Sequence, residues 1–126
     1  MLDTNIVIYT IKNRREEVRS RFKQHYGQMC FSCVSYMELV FGAERSGNPE
    51  RNLRVLEGFV ARMDVLHFES EAAVYSGQLR AELAKKGTPI GPYDLMIAGH
   101  ARSEGFILVT NNEKEFVRVP GLRVED

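Results

Sequence analysis

The feature that most restricts how this chain can fold is its alternation of short apolar runs with helix-length segments. Met1-Leu2, Met29 to Val34, Val65 to Phe68, Phe106 to Val109 and Leu122 to Val124 read as strands. Between them, apolar residues recur every three or four positions, the period of a helix with one buried face. Strands separated by helices pair in parallel, because the helix carries the chain back to the edge where the next strand must start. The expectation is one domain over residues 1–126, a three-layer α/β/α fold around a mostly parallel sheet.

In such a sheet the carboxyl ends of the strands share one edge, and crevices at that edge bind ligands. Four acids are placed to meet there. Asp3 follows Met1-Leu2, Glu38 follows the run ending at Val34, and Glu115 follows the run ending at Val109. Asp94 sits in the first turn of a helix entered through Gly91-Pro92, just before the strand at Phe106. Helices are expected over Thr4 to Ile11, Asn13 to Tyr26, Ser35 to Arg45, Pro49 to Met63 and Glu69 to Lys86. In the last of these, Ala72, Ala73, Tyr75, Leu79 and Leu83 supply the buried stripe.

Each acid alone has an ordinary explanation. Ser35-x-x-Glu38 has the spacing of a capping box, Asn112 with Glu115 has the same spacing, Asp94 complements a helix dipole, and Asp3 caps the helix behind it. Together they are harder to explain that way, because carboxylates a few ångströms apart repel and raise one another's pKa. A divalent cation makes such a cluster tolerable. Ligation by oxygen alone suits Mg²⁺ or Mn²⁺ better than zinc.

The other chemistry-bearing residues offer no competing site. His25, His67 and His100 are scattered. Cys30 and Cys33 have a metal or redox spacing but no second pair, and read as small buried hydrophobes. No nucleophile elbow or phosphate-cradling glycine loop is present. A metal-held water attacking a phosphodiester needs neither.

Seventeen basic and seventeen acidic side chains cancel, so contact with nucleic acid requires a local patch. Lys85 and Lys86, in the glycine- and proline-rich loop before Asp94, are candidates for phosphate, and Tyr93 for stacking on a base. Arg14, Arg15, Arg19, Arg21 and Lys23 form either a second such patch or a solvated helix face. No apolar run approaches the roughly 20 residues of a membrane helix, and no signal peptide is visible, which points to the cytoplasm.

Asp3-Thr4-Asn5, Ser35-x-x-Glu38-Leu39-x-x-Gly42, Gly91-Pro92-Tyr93-Asp94 with Ile97-Ala98, and Thr110-Asn111-Asn112 followed by Glu115-Phe116 resemble the PIN domain. More narrowly, the chain resembles the VapC toxins of bacterial toxin–antitoxin pairs. The resemblance covers the chain with its motifs in order. It implies a Mg²⁺- or Mn²⁺-dependent endoribonuclease that arrests translation, in some members by cutting initiator tRNA in the anticodon loop. It also implies a homodimer restrained by a VapB antitoxin whose C-terminal segment lies across the acidic pocket. By motif match Asp3, Glu38 and Asp94 are the metal-site acids. Many relatives carry an acid where this chain has Asn112, which leaves Glu115 as the candidate for the missing charge. Thr4, Asn5, Thr110 and Asn112 would orient the acids. Two other classes fit an acid cluster at a sheet edge: a phosphoacceptor resembling a receiver domain, and a catalytically inactive partner-binding module.

Overall fold

The computed structural model describes residues 1–12, 20–21, 23–25 and 27–125. Its elements are α1 (Thr4–Lys12), β1 (Cys30–Ser32), α2 (Cys33–Glu44), α3 (Pro49–Val60), β2 (Asp64–Leu66), α4 (Ser70–Lys85), α5 (Pro92–Glu104), β3 (Leu108–Val109), α6 (Glu113–Phe116) and β4 (Val124–Glu125). The charged helix expected over 13–26 lies largely outside the described residues, as do Arg14, Arg15 and Arg19.

All strand pairs are parallel. β1 pairs with β2, placing Phe31 opposite Val65, and β3 pairs with β4. Leu2 joins the two halves, bridging to Phe31 on one side and Val109 on the other. The order across the sheet is therefore β2, β1, Leu2, β3, β4. The chain builds outward from Leu2 in one direction, then returns to build outward in the other. The point where the direction reverses is where an open parallel sheet leaves a crevice beyond its carboxyl ends.

The strands are shorter than the apolar runs because helix ends claim the flanking residues. Ser32 takes the N-cap of α2, its side chain accepting the Val34 N–H, so Cys33 and Val34 turn into the helix. At the other run, Phe106 N–H closes onto Ala101 O after the left-handed Gly105, so strand pairing begins only at Leu108.

Alternation along the strands sorts the core onto two faces. Met1, Cys30 and Leu108 pack with Leu79, Leu83, Ile97, Ala98 and Phe116 from α4, α5 and α6. Leu2 and Phe31 pack oppositely with Val7, Leu39 and Leu56 from α1, α2 and α3. These are the three layers expected. The buried face of α4 is Ala72, Ser76, Leu79 and Leu83, while Ala73 is exposed and Tyr75 only half-buried. Ser76 replaces them because α5 crosses there with Gly99 against it: a Cβ at Gly99 would lie 2.8 Å from Ser76 Cα. No described helix is long and apolar enough to cross a membrane.

Candidate active site

Asp3 is the first residue beyond the central Leu2 and is 2 % exposed. Its backbone N–H bonds to Val109 O at 3.0 Å, which pins it between the two halves of the sheet. Oδ1 accepts the Ile6 N–H at 2.8 Å, so Asp3 does cap α1. Oδ2 accepts the Thr110 hydroxyl. Burial pushes the carboxyl above its ordinary pKa, the bonds from Thr110 and Ile6 pull it down, and the charges of Glu38 and Glu115 push it up again.

Thr110 is completely buried at the end of β3 and is bonded in two directions. Its hydroxyl donates to Asp3, while its oxygen accepts the Asn112 N–H at 2.9 Å. Asn112 does not cap α6 through its side chain. Its Nδ2 donates instead to Glu115 Oε2 at 2.7 Å, and Glu115 Oε1 accepts the Gly91 N–H at 3.4 Å. Glu115 thus reaches from α6 to the turn that launches α5, the helix bearing Asp94.

Glu38 is not part of a capping box, because Ser32 caps α2 and Ser35 lies inside the helix, fully buried. Thr4 donates its hydroxyl to Glu38 Oε1 at 2.7 Å and shares a 3.0 Å hydrogen bond with the Ser35 hydroxyl. The carboxylate is therefore held against α1 rather than turned back on its own helix.

Asp94 stands in the first turn of α5, after Gly91 at the cap and Pro92. Its pKa is pushed up to about 7 by burial, then by a hydrogen bond and charge repulsion from Glu115, then by the charges of Glu38 and Asp3. Two carboxyl groups share a hydrogen bond only when one carries a proton, so this pair binds a proton near neutrality. All four predicted acids thus feel one another at the carboxyl edge of the sheet.

Among the described residues, no three carboxylates, imidazoles or thiols already stand close enough to grip an ion. Their oxygens are turned instead to hydroxyls, an amide, backbone N–H groups and each other. The donor set nevertheless fits a hard divalent cation. It consists of oxygen alone, and part of the upward push on the pKa of Asp3 and of Asp94 is charge repulsion from the other acids, which a cation relieves.

The remaining predicted residues lie apart from this network. Asn5 is exposed and makes no hydrogen bond to the acids. Lys85 and Lys86 are exposed at the end of α4, and Tyr93 is 48 % exposed next to Asp94 in the chain. Ser35 enters the network although its spacing suggests a cap, and only the burial of α2 against Thr4 reveals this. Ser32 and His100, bonded at 2.8 Å, form a second buried polar contact beneath the site. A histidine within the apolar stripe Leu95 to Ala101 is the sequence signal for it.

A parallel sheet with acids gathered at its switch point is the architecture of a nuclease-type PIN domain. The PIN domain family model matches residues 1–122, and the chain belongs to that family. It falls in the VapC branch. It is 62 % identical to the tRNA(fMet)-specific endonuclease VapC of Shigella flexneri and 58 % identical to that of Salmonella typhimurium, in each case over 100 % of this chain and 96 % of the relative. The crystal structure of DNA-bound VapBC from Salmonella typhimurium superposes with a TM-score of 0.97, covering 100 % of this chain and 96 % of that one at 58 % identity. VapBC2 from Rickettsia felis, bound to a promoter DNA fragment, superposes with a TM-score of 0.95, covering 99 % and 96 % at 37 % identity.

Proposed function

We propose that this chain is a toxin endoribonuclease that cuts RNA, initiator tRNA in the anticodon loop being the favoured substrate, and is neutralised by a VapB-type antitoxin. The observation that carries the reading is the convergence of Asp3, Glu38, Asp94 and Glu115, marked by the rise of the Asp94 pKa to about 7. Relatives 58 % and 62 % identical are tRNA(fMet)-specific endonucleases, and a structure that superposes closely is a VapBC complex. Exposed Tyr9, Met37, Phe41 and Val117 give the surface apolar area that a partner chain, antitoxin or second copy, would cover.

Mg²⁺, or Mn²⁺ in its place, would be held by Asp3 and Asp94, with Glu38 and Glu115 completing the negative field. When bound it supplies an activated water and charge neutralisation at the scissile phosphate. The chain's own groups do the rest. Thr110 and the Ile6 N–H hold Asp3 in one orientation, Thr4 holds Glu38, and Asn112 with the Gly91 N–H holds Glu115. Asp94, poised near neutrality, can accept or return a proton at its carboxyl group. Lys85 and Lys86 would contact phosphates outside the pocket, and Tyr93 would stack on a base at its mouth.

The test is cleavage of an RNA pool containing folded tRNA, with Mg²⁺, with EDTA, and with the Asp94→Asn variant. Cutting that needs both metal and Asp94 supports the reading. A folded chain that binds the ion but leaves all RNA intact overturns it.

A further inference from the structure

A buried contact beneath the acids plays no part in the roles assigned so far. His100 lies on α5 a little under two turns beyond Asp94 and is 1 % exposed. Its Nδ1 stands 2.8 Å from Ser32 Oγ, while Nε2 is buried with no hydrogen-bond partner. The ring packs against Phe68 in a T-shaped arrangement, centroids 5.5 Å apart. Leaving one imidazole nitrogen unsatisfied in a core carries a free-energy penalty that an apolar side chain of similar size avoids. The benefit must come through the other nitrogen.

That nitrogen meets a residue with two duties. Ser32 is the last residue of β1 and the cap of α2, its Oγ accepting the Val34 N–H at 3.1 Å. The same hydroxyl therefore touches α5, which carries Asp94, and starts α2, which carries Glu38 in its second turn. The two helices otherwise meet through apolar groups such as Val34, Ile97 and Ala98. Apolar packing fixes how closely helices approach but tolerates sliding, whereas a hydrogen bond is directional and fixes the offset between them.

We propose that His100 is a positioning residue: through Ser32 it locks the offset between the helix bearing Asp94 and the helix bearing Glu38, and so sets the spacing at which the acids take up a divalent cation. This rests on the reading of the acids as a metal site. It assigns no role at the reacting atoms, and it distinguishes the two imidazole nitrogens, of which only Nδ1 does the work.

The experiment is Mn²⁺ binding to the full chain, followed through the paramagnetic resonance signal of the free ion, with RNA cleavage and thermal unfolding in parallel. An asparagine amide reaches about where Nδ1 lies, and a glutamine amide about where Nε2 lies. His100→Gln is expected to weaken Mn²⁺ binding by roughly 10- to 100-fold, while His100→Asn stays near the parent. Ser32→Ala is expected to reproduce the glutamine effect, and the Ser32→Ala/His100→Gln double variant to be no worse than either alone. Equal weakening by Asn and Gln, additive losses in the double variant, or unchanged Mn²⁺ affinity beside lowered melting temperatures would overturn the proposal. If His100→Gln does not fold, Ser32→Ala decides, and retained affinity there overturns it. A parent that binds Mn²⁺ through Asp94 without cutting RNA defeats the nuclease reading and leaves this comparison decisive.

Discussion

Asp94 makes the sharpest contribution to pH dependence. An acid whose folded pKa is raised keeps its proton after the unfolded chain has lost it, so between pH 3.8 and about 7 the folded state binds more protons. Its contribution to stability therefore falls as pH rises through that window and levels off above it. His100 works in the opposite direction: burial lowers its pKa, so what it contributes is present above 6.5 and is lost as pH falls. Comparing the metal-free chain with Asp94→Asn cancels the histidine. The parent is expected to lose melting temperature relative to the variant as pH rises from 4 to 7, the gap then staying constant; a gap independent of pH would contradict the shared proton. The same variant is expected to cut RNA at least about 100-fold more slowly, a loss typical of removing a group that stabilises developing charge. Thr110→Val removes the donor to Asp3 and the acceptor for Asn112 N–H in one nearly isosteric step. Urea denaturation should show a loss of roughly 1 to 3 kcal/mol, because buried polar partners are left unmatched.

Helix packing turns on small residues. A Cβ on Gly99 would meet Ser76 backbone on α4, so Gly99→Ala must push α4 and α5 apart, at a cost of roughly 1 to 3 kcal/mol. Gly77 lies on α4 one residue after Ser76, exposed and with open space where a Cβ would stand. Gly77→Ala is expected to be neutral or stabilising by up to about 1 kcal/mol from helix propensity. Denaturant midpoints measured side by side check both, and equal effects would refute the close approach. The contrast also shows what local pattern can carry. The entry of α5 through Gly91 and Pro92, and the start of α3 at Pro49 behind the Asn48 cap, follow from backbone constraints that neighbouring residues reveal. The capping-box reading of Ser35 failed because Ser32, three residues earlier, offers the same chemistry. Which serine wins depends on where β1 must stop to keep pairing with Leu2 and Asp64, and that information is not local. Asn112 is a similar case: spacing suggests a cap, but its amide is claimed by Glu115, whose other oxygen reaches Gly91.

Across the domain, the layer order and the meeting of the acids were legible because both follow from topology. A parallel sheet has one carboxyl edge, and any acid placed just after a strand arrives there. The resemblance offered Thr4, Thr110 and Asn112 as the groups that orient the acids, and each does hold one; which acid each would hold was not legible, since Thr110 and Asp3, for example, are 107 residues apart in the chain. Asn5, adjacent to Thr4 in the recognisable motif, points to solvent in the structure. Metal removal should act through this long-range assembly. Adding Mg²⁺ is expected to raise the melting temperature more at pH 8 than at pH 5, where protons compete for the same carboxylates. An equal rise at both pH values would mean that the ion binds elsewhere.

The position of Leu2 also governs when the domain can become active. Leu2 lies at the middle of the sheet, yet Val109, one of its two bridge partners, is synthesised 107 residues after it. A growing chain can lay Phe31 beside Leu2 early, but Asp3 has no Thr110 to orient it until the 107 residues that lead to it have been made. The four acids therefore cannot assemble before the chain has been made as far as Glu115. Until then a nascent toxin built on this plan lacks its assembled acids, an interval in which the cell can supply the restraining partner.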